Sequence, residues 1–74
     1  MGFRSGKRYR VKKDFVDYQQ NHFTKGEVLL FVEEHFLAHD GGYTFKFQTC
    51  SIYLQEFDQA EILDHLEEYF EELV

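Results

Sequence analysis

Two histidines with acidic neighbours are the first residues in this chain whose types and spacing could support chemistry. His35 and His39 are four residues apart, and Glu33, Glu34 and Asp40 lie beside them. On a helix, two histidines at this spacing share one face and can bind the same metal ion. The surrounding sequence instead predicts a strand that runs into a turn, which spoils that geometry. We therefore predict no metal site and no cofactor.

Cys50 is the strongest candidate nucleophile in the sequence. A catalytic cysteine needs a base beside it in space, whereas a lone cysteine at the edge of a strand is more often a small buried hydrophobic residue. The chain has no Gly-x-Ser-x-Gly motif, and the turn at Asp40-Gly41-Gly42 lacks the lysine and the following helix of a phosphate-binding loop. These observations predict no catalytic residue, and we expect the protein not to be an enzyme.

Charge is divided unevenly along the chain, which has a net charge of −6. Residues 1–13 hold six lysines and arginines and no acid, whereas residues 14–74 hold two cations and all fourteen acids. Arg8, Arg10 and Lys12 share one face of a predicted strand, where they could bind the phosphates of a nucleic acid. Two alternatives remain open: the cations protect an edge strand from aggregation, or they pair with the acids near the C-terminus.

The C-terminal sequence predicts an amphipathic helix over residues 58–73. Asp58 followed by Glu61 resembles a capping box. Apolar residues recur at the helical spacing of three and four, at Ile62, Leu63, Leu66, Tyr69, Phe70 and Leu73. On the polar face, Glu68 and Glu72 could attract a basic partner protein electrostatically.

Four strands are predicted before this helix, over residues 8–14, 27–35, 43–49 and 51–55. The apolar run from Val28 to Val32 predicts that one face of the second strand lines the core and that the C-terminal helix covers the other face at least partly. The connection over residues 15–24 is rich in aromatic side chains, so we expect it to pack on the sheet. Gly26 predicts a tight turn at the entry to the second strand.

The sequence Phe23-Thr24-Lys25-Gly26-Glu27 at this turn resembles an element of a known fold family. Together with the order of the predicted strands over residues 8–55, it resembles the SH3-like small barrels, in which a Phe/Leu-x-x-Gly-Asp/Glu turn leads into the second strand. The peptide-binding members of that family use tryptophan and proline residues that this chain lacks. The resemblance therefore implies the fold but not the binding of proline-rich peptides.

Nearly the whole chain also resembles a family of small, mostly bacterial proteins that is known only as a domain of unknown function. The residues that carry this resemblance are Tyr9, Val11, Phe15, Phe23, Gly26, Glu27, the turn Asp40-Gly41-Gly42-Tyr43, Phe45, Phe47 and Tyr69-Phe70. The resemblance implies a type of fold and no activity.

We predict a mainly β fold, a small antiparallel SH3-like barrel with one C-terminal amphipathic α-helix. The 74 residues form a single domain, with a flexible arm over 1–7, the barrel over 8–55 and the helix over 58–73. One cysteine and no signal peptide favour the cytoplasm. No apolar run approaches the ~20 residues that span a membrane. We expect a monomer or a weak homodimer.

The predicted function is a non-enzymatic protein-interaction module. The residues predicted to contact the protein partner are Tyr18 and Phe23 in the aromatic connection and Glu68 and Glu72 on the helix. The first alternative is a nucleic-acid-binding barrel that uses Arg8, Arg10 and Lys12. The second alternative is an immunity-type inhibitor of a basic enzyme, because an acidic helix suits such a partner.

Overall fold

The structure, a computed structural model, describes residues 3–37, 39 and 41–74. The first part of the chain forms strands β1 (Arg8–Val11), β2 (Phe15–Val16), β3 (His22–Phe23) and β4 (Val28–Leu37). Strands β5 (Gly42–Phe47) and β6 (Ser51–Gln55) follow, and then helices α1 (Ala60–Asp64) and α2 (Leu66–Tyr69) and strand β7 (Phe70–Leu73). The prediction of a mainly β fold is confirmed.

Five of the strands form one antiparallel sheet in the order β6-β5-β4-β1-β7, and β2 and β3 form a separate two-stranded hairpin. Within the described residues the sheet is not closed into a barrel, because its edge strands β6 and β7 are not paired with each other. Strands β4, β5 and β6 pair with their neighbours in the chain, whereas β7 returns to lie beside β1. The first and last strands are therefore adjacent.

Strand β1 shows how alternation in the sequence becomes a half-buried strand. Tyr9 and Val11 are fully buried while Arg8 and Arg10 are exposed, in agreement with the predicted shared face of Arg8 and Arg10. The core that they join contains Tyr9, Val11, Phe15, Phe23, Leu29, Phe31, Phe45, Phe47, Ile52, Leu54, Ile62, Leu66 and Phe70. No helix in the described part of the chain is long and apolar enough to cross a membrane.

One face of strand β4 lines the core, and its outer face is exposed except at the half-buried Leu30, so the prediction that the C-terminal helix covers this face is wrong. Leu29 and Phe31 face the core, whereas Val28 and Val32 are exposed. In that prediction, a C-terminal helix packs on the outer face of β4. That part of the chain instead ends in β7, which lies beside β1 in the plane of the sheet.

The hairpin of β4 and β5 extends beyond the core. A β-bulge interrupts its register between Phe31 and Glu33. Beyond the bulge, every side chain of β4 over residues 32–37 is exposed. Near the tip, Phe36 and Tyr43 pack against each other with their ring centroids 4.5 Å apart. This projecting hairpin forms a wall of two surface cavities.

Both predicted glycine turns have a backbone that favours glycine. Gly26 has a φ of 101° and Gly41 a φ of 66°. Across the first turn, the N–H and the Oγ of Thr24 donate hydrogen bonds to Glu27 Oε2 over 2.6 and 3.1 Å. In the second turn, the predicted residue Asp40 lies outside the described residues.

The C-terminal segment is the main departure from the prediction. The prediction of one helix over residues 58–73 is wrong, because α1 and α2 are short, His65 between them is not helical, and β7 follows. The residue at the N-cap of α1 is Gln59 and not the predicted Asp58, and neither helix has a side-chain cap.

Charge is one factor that favours a strand over a helix at the end of this segment. A helix through residue 73 would carry acids in its last turn, where they oppose the helix macrodipole. An isolated helix of this length is also marginal in water. In β7, Glu71 lies directly opposite Arg10 of β1, and opposite charges that face each other across strands are stabilising. The basic first strand thus favours an acidic strand as its neighbour.

Residues 3–7, which belong to the predicted flexible arm, are packed against the sheet. The N–H of Gly6 donates to the carbonyl of Phe31, and the N–H of Phe31 donates to the carbonyl of Lys7, each over 2.9 Å. The ring of Phe3 has its centroid 4.8–5.6 Å from those of Tyr9, Phe31, Phe45, Phe47 and Phe70. Residues 1 and 2 of the predicted arm lie outside the described residues.

Candidate functional site

A buried carboxylate organises the aromatic loop, residues 15–24. Asp17 is only 1% exposed. Its Oδ1 accepts hydrogen bonds from the backbone N–H groups of Gln19 and Asn21, over 3.0 and 2.8 Å. Its Oδ2 accepts from Asn21 Nδ2 and from the N–H of Tyr53, both over 3.1 Å. Both oxygens are satisfied in the interior, as the burial of a polar group requires.

The aromatic loop is also attached to the edge of the sheet at β6. The N–H of Tyr18 donates to the carbonyl of Tyr53 over 2.7 Å, beside the bond from Tyr53 to Asp17. Gln20 has a φ of 67°, which is uncommon for a residue other than glycine. Its N–H donates to the carbonyl of Asp17 over 3.1 Å. The backbone of Tyr18 is therefore fixed, while its side chain is 48% exposed.

Two cavities meet at this loop. The smaller, which we name the tyrosine groove, has a volume of about 260 Å³ and is lined by Tyr18, Gln19, Leu37, Gly42, Tyr43, Thr44, Tyr53, Leu54 and Gln55. The larger, which we name the polar groove, has a volume of about 870 Å³ and is lined by Gln19, Asn21, His22, Phe23, Glu27, Leu29, Lys46, Phe47, Gln48, Thr49, Cys50, Ser51 and Tyr53. Gln19 of the aromatic loop and Tyr53 of β6 line both grooves, and together they form the shared wall.

The four residues predicted to contact a protein partner lie in different places. Tyr18 lines the tyrosine groove. Phe23 lines the polar groove, but it is 5% exposed and stacks on Phe15 at 5.1 Å, so its main contacts are in the core. Glu68 and Glu72 line neither groove. The structure thus brings Tyr18 and Phe23 to one loop and separates them from the two glutamates.

Glu72 connects β7 to the N-terminal residues. Its carboxylate accepts hydrogen bonds from Arg4 Nη2 and Nε over 2.7 and 3.1 Å, and from the Tyr9 hydroxyl over 3.0 Å. The hydrogen bond from Tyr9, helped by the Arg4 guanidinium, lowers the pKa of Glu72. Burial raises the pKa of the Tyr9 phenol. The charge of Glu72 is therefore engaged within the chain.

This network predicts an acid-dependent loss of stability. The folded-state pKa of Glu72 lies below its unfolded value. The ionised carboxylate of Glu72 therefore adds its full contribution to the free energy of unfolding above the unfolded pKa of about 4.3. That contribution is lost as the pH falls through the folded pKa. We expect Glu72→Gln to unfold at lower urea concentration than the wild type near neutral pH. We expect the difference in unfolding free energy to shrink as the pH falls below about 4.

The control for this experiment is Glu61→Gln. It removes the same charge from a carboxylate that has no ion pair among the described residues. A difference between the wild type and Glu72→Gln that stays constant through the acid range would contradict the role of the network.

Glu68 is close to a cation of the basic segment. Its Oε1 lies 3.8 Å from Lys13 Nζ, which also lies 4.9 Å from the centroid of the Tyr69 ring. Both charged side chains are well exposed. An exposed ion pair of this length is weak, so Glu68 remains accessible to other molecules.

The cations predicted to bind nucleic acid lie beside the acidic C-terminal segment. Arg10 Nη1 is 3.7 Å from Glu71 Oε1, and Lys12 Nζ donates to the carbonyl of Glu67 over 3.0 Å. Arg8 is exposed, and none of the described residues forms an ion pair with it. Two of the three cations therefore contact the C-terminal acids or their backbone. The binding of nucleic acid stays a prediction.

The histidine and cysteine side chains that were considered for chemistry have local contacts or burial that explain their surroundings. His35 Nε2 lies 2.9 Å from Glu33 Oε1, and this hydrogen bond lowers the pKa of Glu33. Burial raises the pKa of the half-buried Cys50 thiol, which disfavours the reactive thiolate. Among the residues that the structure describes, no three histidine, cysteine, aspartate or glutamate side chains are placed to hold a metal ion.

Asp17 is the important site residue that the sequence interpretation missed. A partial signal exists, because aspartate in a polar loop commonly accepts a hydrogen bond from the backbone two residues later. The bond from the N–H of Gln19 follows that pattern. The bond from Tyr53 has no local signal, because Tyr53 is 36 residues away in the chain.

The described fold places the protein among small, mainly β domains, and comparison with known proteins gives its family. A family model for a domain of unknown function, DUF3601, matches residues 2–74, so the chain belongs to that family. A similar solved structure is an integron cassette protein from the mobile metagenome of Vibrio cholerae, which is 28% identical. The TM-score is 0.92, over 96% of this chain and 88% of that chain. No curated protein matches the chain.

These comparisons confirm the resemblance to a small bacterial domain of unknown function. The cassette protein shares both the fold and the extent of the chain. Neither the family description nor the name of the cassette protein includes an activity.

Proposed function

We propose that the protein is a non-enzymatic protein-interaction module whose tyrosine groove holds an extended segment of a partner protein. The observation that carries this proposal is the exposed ring of Tyr18 on a backbone that buried Asp17 holds in place. Binding costs less free energy when the contact residues are already ordered. Tyrosine also offers apolar surface and a hydroxyl together, which favours its use at interfaces.

The lining of the tyrosine groove supports a peptide as its occupant. Its apolar surface comes from Tyr18, Leu37, Tyr43, Tyr53 and Leu54. The remaining side chains that line it are the uncharged groups of Gln19, Thr44 and Gln55. Apolar walls with a few polar groups are typical of binding pockets. An uncharged lining suits a peptide backbone better than the phosphates of a nucleic acid.

The order of the elements supports an SH3-like arrangement of this module. Strands β4, β5 and β6 form a meander, and the turn at residues 23–27 leads into β4. The loop that carries Tyr18 connects β1 to β4. Because the chain has no tryptophan and no proline, the proposed ligand is not a proline-rich peptide.

We propose that the module acts in the cytoplasm as a monomer or weak homodimer, since its single cysteine suits a reducing compartment.

Selection of binders from a library of displayed random peptides tests this function. We expect the selected peptides, titrated into the isotope-labelled protein, to shift the NMR signals of backbone amides around the tyrosine groove. Tyr18→Ala is expected to weaken their binding about tenfold, because a central aromatic contact contributes about 1–2 kcal/mol or more. The folded state should be retained, because the side chain of Tyr18 is largely outside the core.

Phe57 provides the matched control. Its ring is 88% exposed and lines neither groove, so Phe57→Ala is expected to bind the same peptides as the wild type. Peptides that shift amides of β1 and β7 instead, or that bind Tyr18→Ala with unchanged affinity, would show that the tyrosine groove is not the binding surface.

A further inference from the structure

A third cavity lies between the β4–β5 hairpin and the two helices. We name it the acid-rimmed pocket, and its volume is about 330 Å³. Its lining combines apolar residues with three carboxylates, and consists of Tyr43, Phe45, Leu63, Leu66, Glu34, Glu56 and Asp64. It shares only Tyr43 with the tyrosine groove, so it is a separate surface.

Strand pairing sets the positions of the groups in this pocket. The rings of Tyr43 and Phe45 are stacked, with centroids 6.0 Å apart and planes 4° from parallel. Glu34 lies directly opposite Phe45 in the register of β4 and β5, so the two side chains share one face of the hairpin. The N–H of Glu56 donates to the carbonyl of Gly41 over 2.8 Å, which holds Glu56 beside the hairpin turn.

The charge of this pocket is not compensated within the described residues. Glu34, Glu56 and Asp64 are exposed, and none of them has an ion pair there. Lys46 lies in β5 directly after Phe45, so its side chain points to the other face. The three carboxylates do not form a group placed to hold a metal ion. The pocket thus presents negative charge around an apolar floor.

We propose that the acid-rimmed pocket binds an arginine or lysine side chain that a partner protein presents. The alkyl stem of that side chain packs on the apolar floor, as long basic side chains do on apolar surfaces. Its cation lies among the three carboxylates and close to the aromatic rings, which attract cations. The net charge of −6 adds a long-range attraction for a basic partner. This contact is additional to the tyrosine groove and specifies the chemistry of the partner.

NMR titration with the blocked tripeptide acetyl-Ala-Arg-Ala-amide tests this proposal. The tripeptide has no charged termini, so it represents arginine within a protein. We expect saturable shifts of backbone amides around the pocket, with a dissociation constant on the order of 1 mM that rises when salt is raised from about 0.05 to 0.5 M. The lysine tripeptide is expected to behave similarly. The norleucine tripeptide, which keeps the stem without the charge, is expected to give no saturable shift.

Variants of the chain separate this site from general charge effects. Glu34→Gln, Glu56→Gln and Asp64→Asn are each expected to weaken binding about two- to fivefold, and the triple variant about tenfold or more. Glu61→Gln removes one charge from α1 outside the pocket and is expected to bind as the wild type does. Tyr18→Ala is also expected to bind the arginine tripeptide as the wild type does. A negative result for peptide binding in the tyrosine groove would therefore be distinct from a negative result for this pocket.

Absence of saturable shifts in the wild type, equal binding of the norleucine tripeptide, or full binding by the triple variant would each overturn the proposal.

Discussion

Replacement of Asp17 by asparagine is expected to destabilise the protein by about 2–4 kcal/mol. Both carboxylate oxygens accept hydrogen bonds, in total from three backbone N–H groups and from Asn21 Nδ2. The amide oxygen of asparagine can accept hydrogen bonds in place of one carboxylate oxygen. The amide NH2 group would take the place of the other oxygen, and because it is itself a donor it cannot accept from the N–H groups there. The buried donors left without an acceptor each add a cost. A chain of this length has a total stability of about 4–11 kcal/mol, so the loss is a large part of it.

Urea denaturation of the wild type, Asp17→Asn and Asp58→Asn measures this effect. Asp58 is exposed, and none of the described residues forms an ion pair with it, so its replacement is expected to change stability by less than about 0.5 kcal/mol. An unfolding midpoint of Asp17→Asn equal to that of Asp58→Asn would show that the buried carboxylate does not hold the aromatic loop. Where Asp17→Asn remains folded, it is also expected to bind the selected peptides more weakly, because the backbone of Tyr18 loses its support.

Phe3→Ala is expected to destabilise the protein by a similar amount, about 2–4 kcal/mol. The ring is only partly buried, but it packs against the core and meets five other aromatic rings. Several of these contacts are edge-to-face, a geometry that adds to the effect of burial. Removal of the ring opens a gap at the end of the core that its neighbours can fill only in part.

The same change at Phe57 is the matched control for Phe3. Phe57→Ala removes an identical group from a position that is 88% exposed, and its effect on the urea midpoint is expected to be small. If Phe3→Ala and Phe57→Ala unfold at the same urea concentration as the wild type, residues 3–7 behave as the free arm that the sequence predicted. A large effect of Phe3→Ala alone would support the packed arrangement.

The parts of the fold that depend on local sequence were predictable. Apolar and polar residues alternate in β1 and β5, and the apolar residues Tyr9, Val11, Phe45 and Phe47 are buried. The glycine at position 26 identified the turn before β4. These features are set by residues that are close together in the chain, so their pattern is visible without knowledge of the rest of the fold.

The C-terminal segment could not be predicted in this way. Ile62, Leu66 and Phe70 are all buried, as a helical stripe predicts, but Phe70 belongs to β7. The deciding partner is β1, which lies at the other end of the sequence. Apolar periodicity in a sequence shows which side chains of a segment face the core. It does not show whether a distant strand such as β1 is available to pair with that segment and make it a strand.

Of the candidate surfaces, only the aromatic loop could be recognised from the sequence. The sequence marks Tyr18, in the aromatic connection, as a candidate contact residue, and its exposed side chain lies at the tyrosine groove. The acid-rimmed pocket could not be recognised, because Glu34, Glu56 and Asp64 come from three different parts of the chain. Glu72 has the charge expected of a contact residue, but its hydrogen bonds to Arg4 and Tyr9 depend on the pairing of β1 with β7.

The adjacency of β1 and β7 also determines when the sheet can be completed during synthesis. Strand β1 can pair with β4 as soon as β4 has left the ribosome, but its other edge has no neighbour until residues 70–73 are made. Contacts between such distant segments make folding slow, because a long loop must close before they form. Until then, the unfinished chain presents an open strand edge that carries Arg8 and Arg10. Repulsion between these charges on neighbouring nascent chains opposes their pairing with one another.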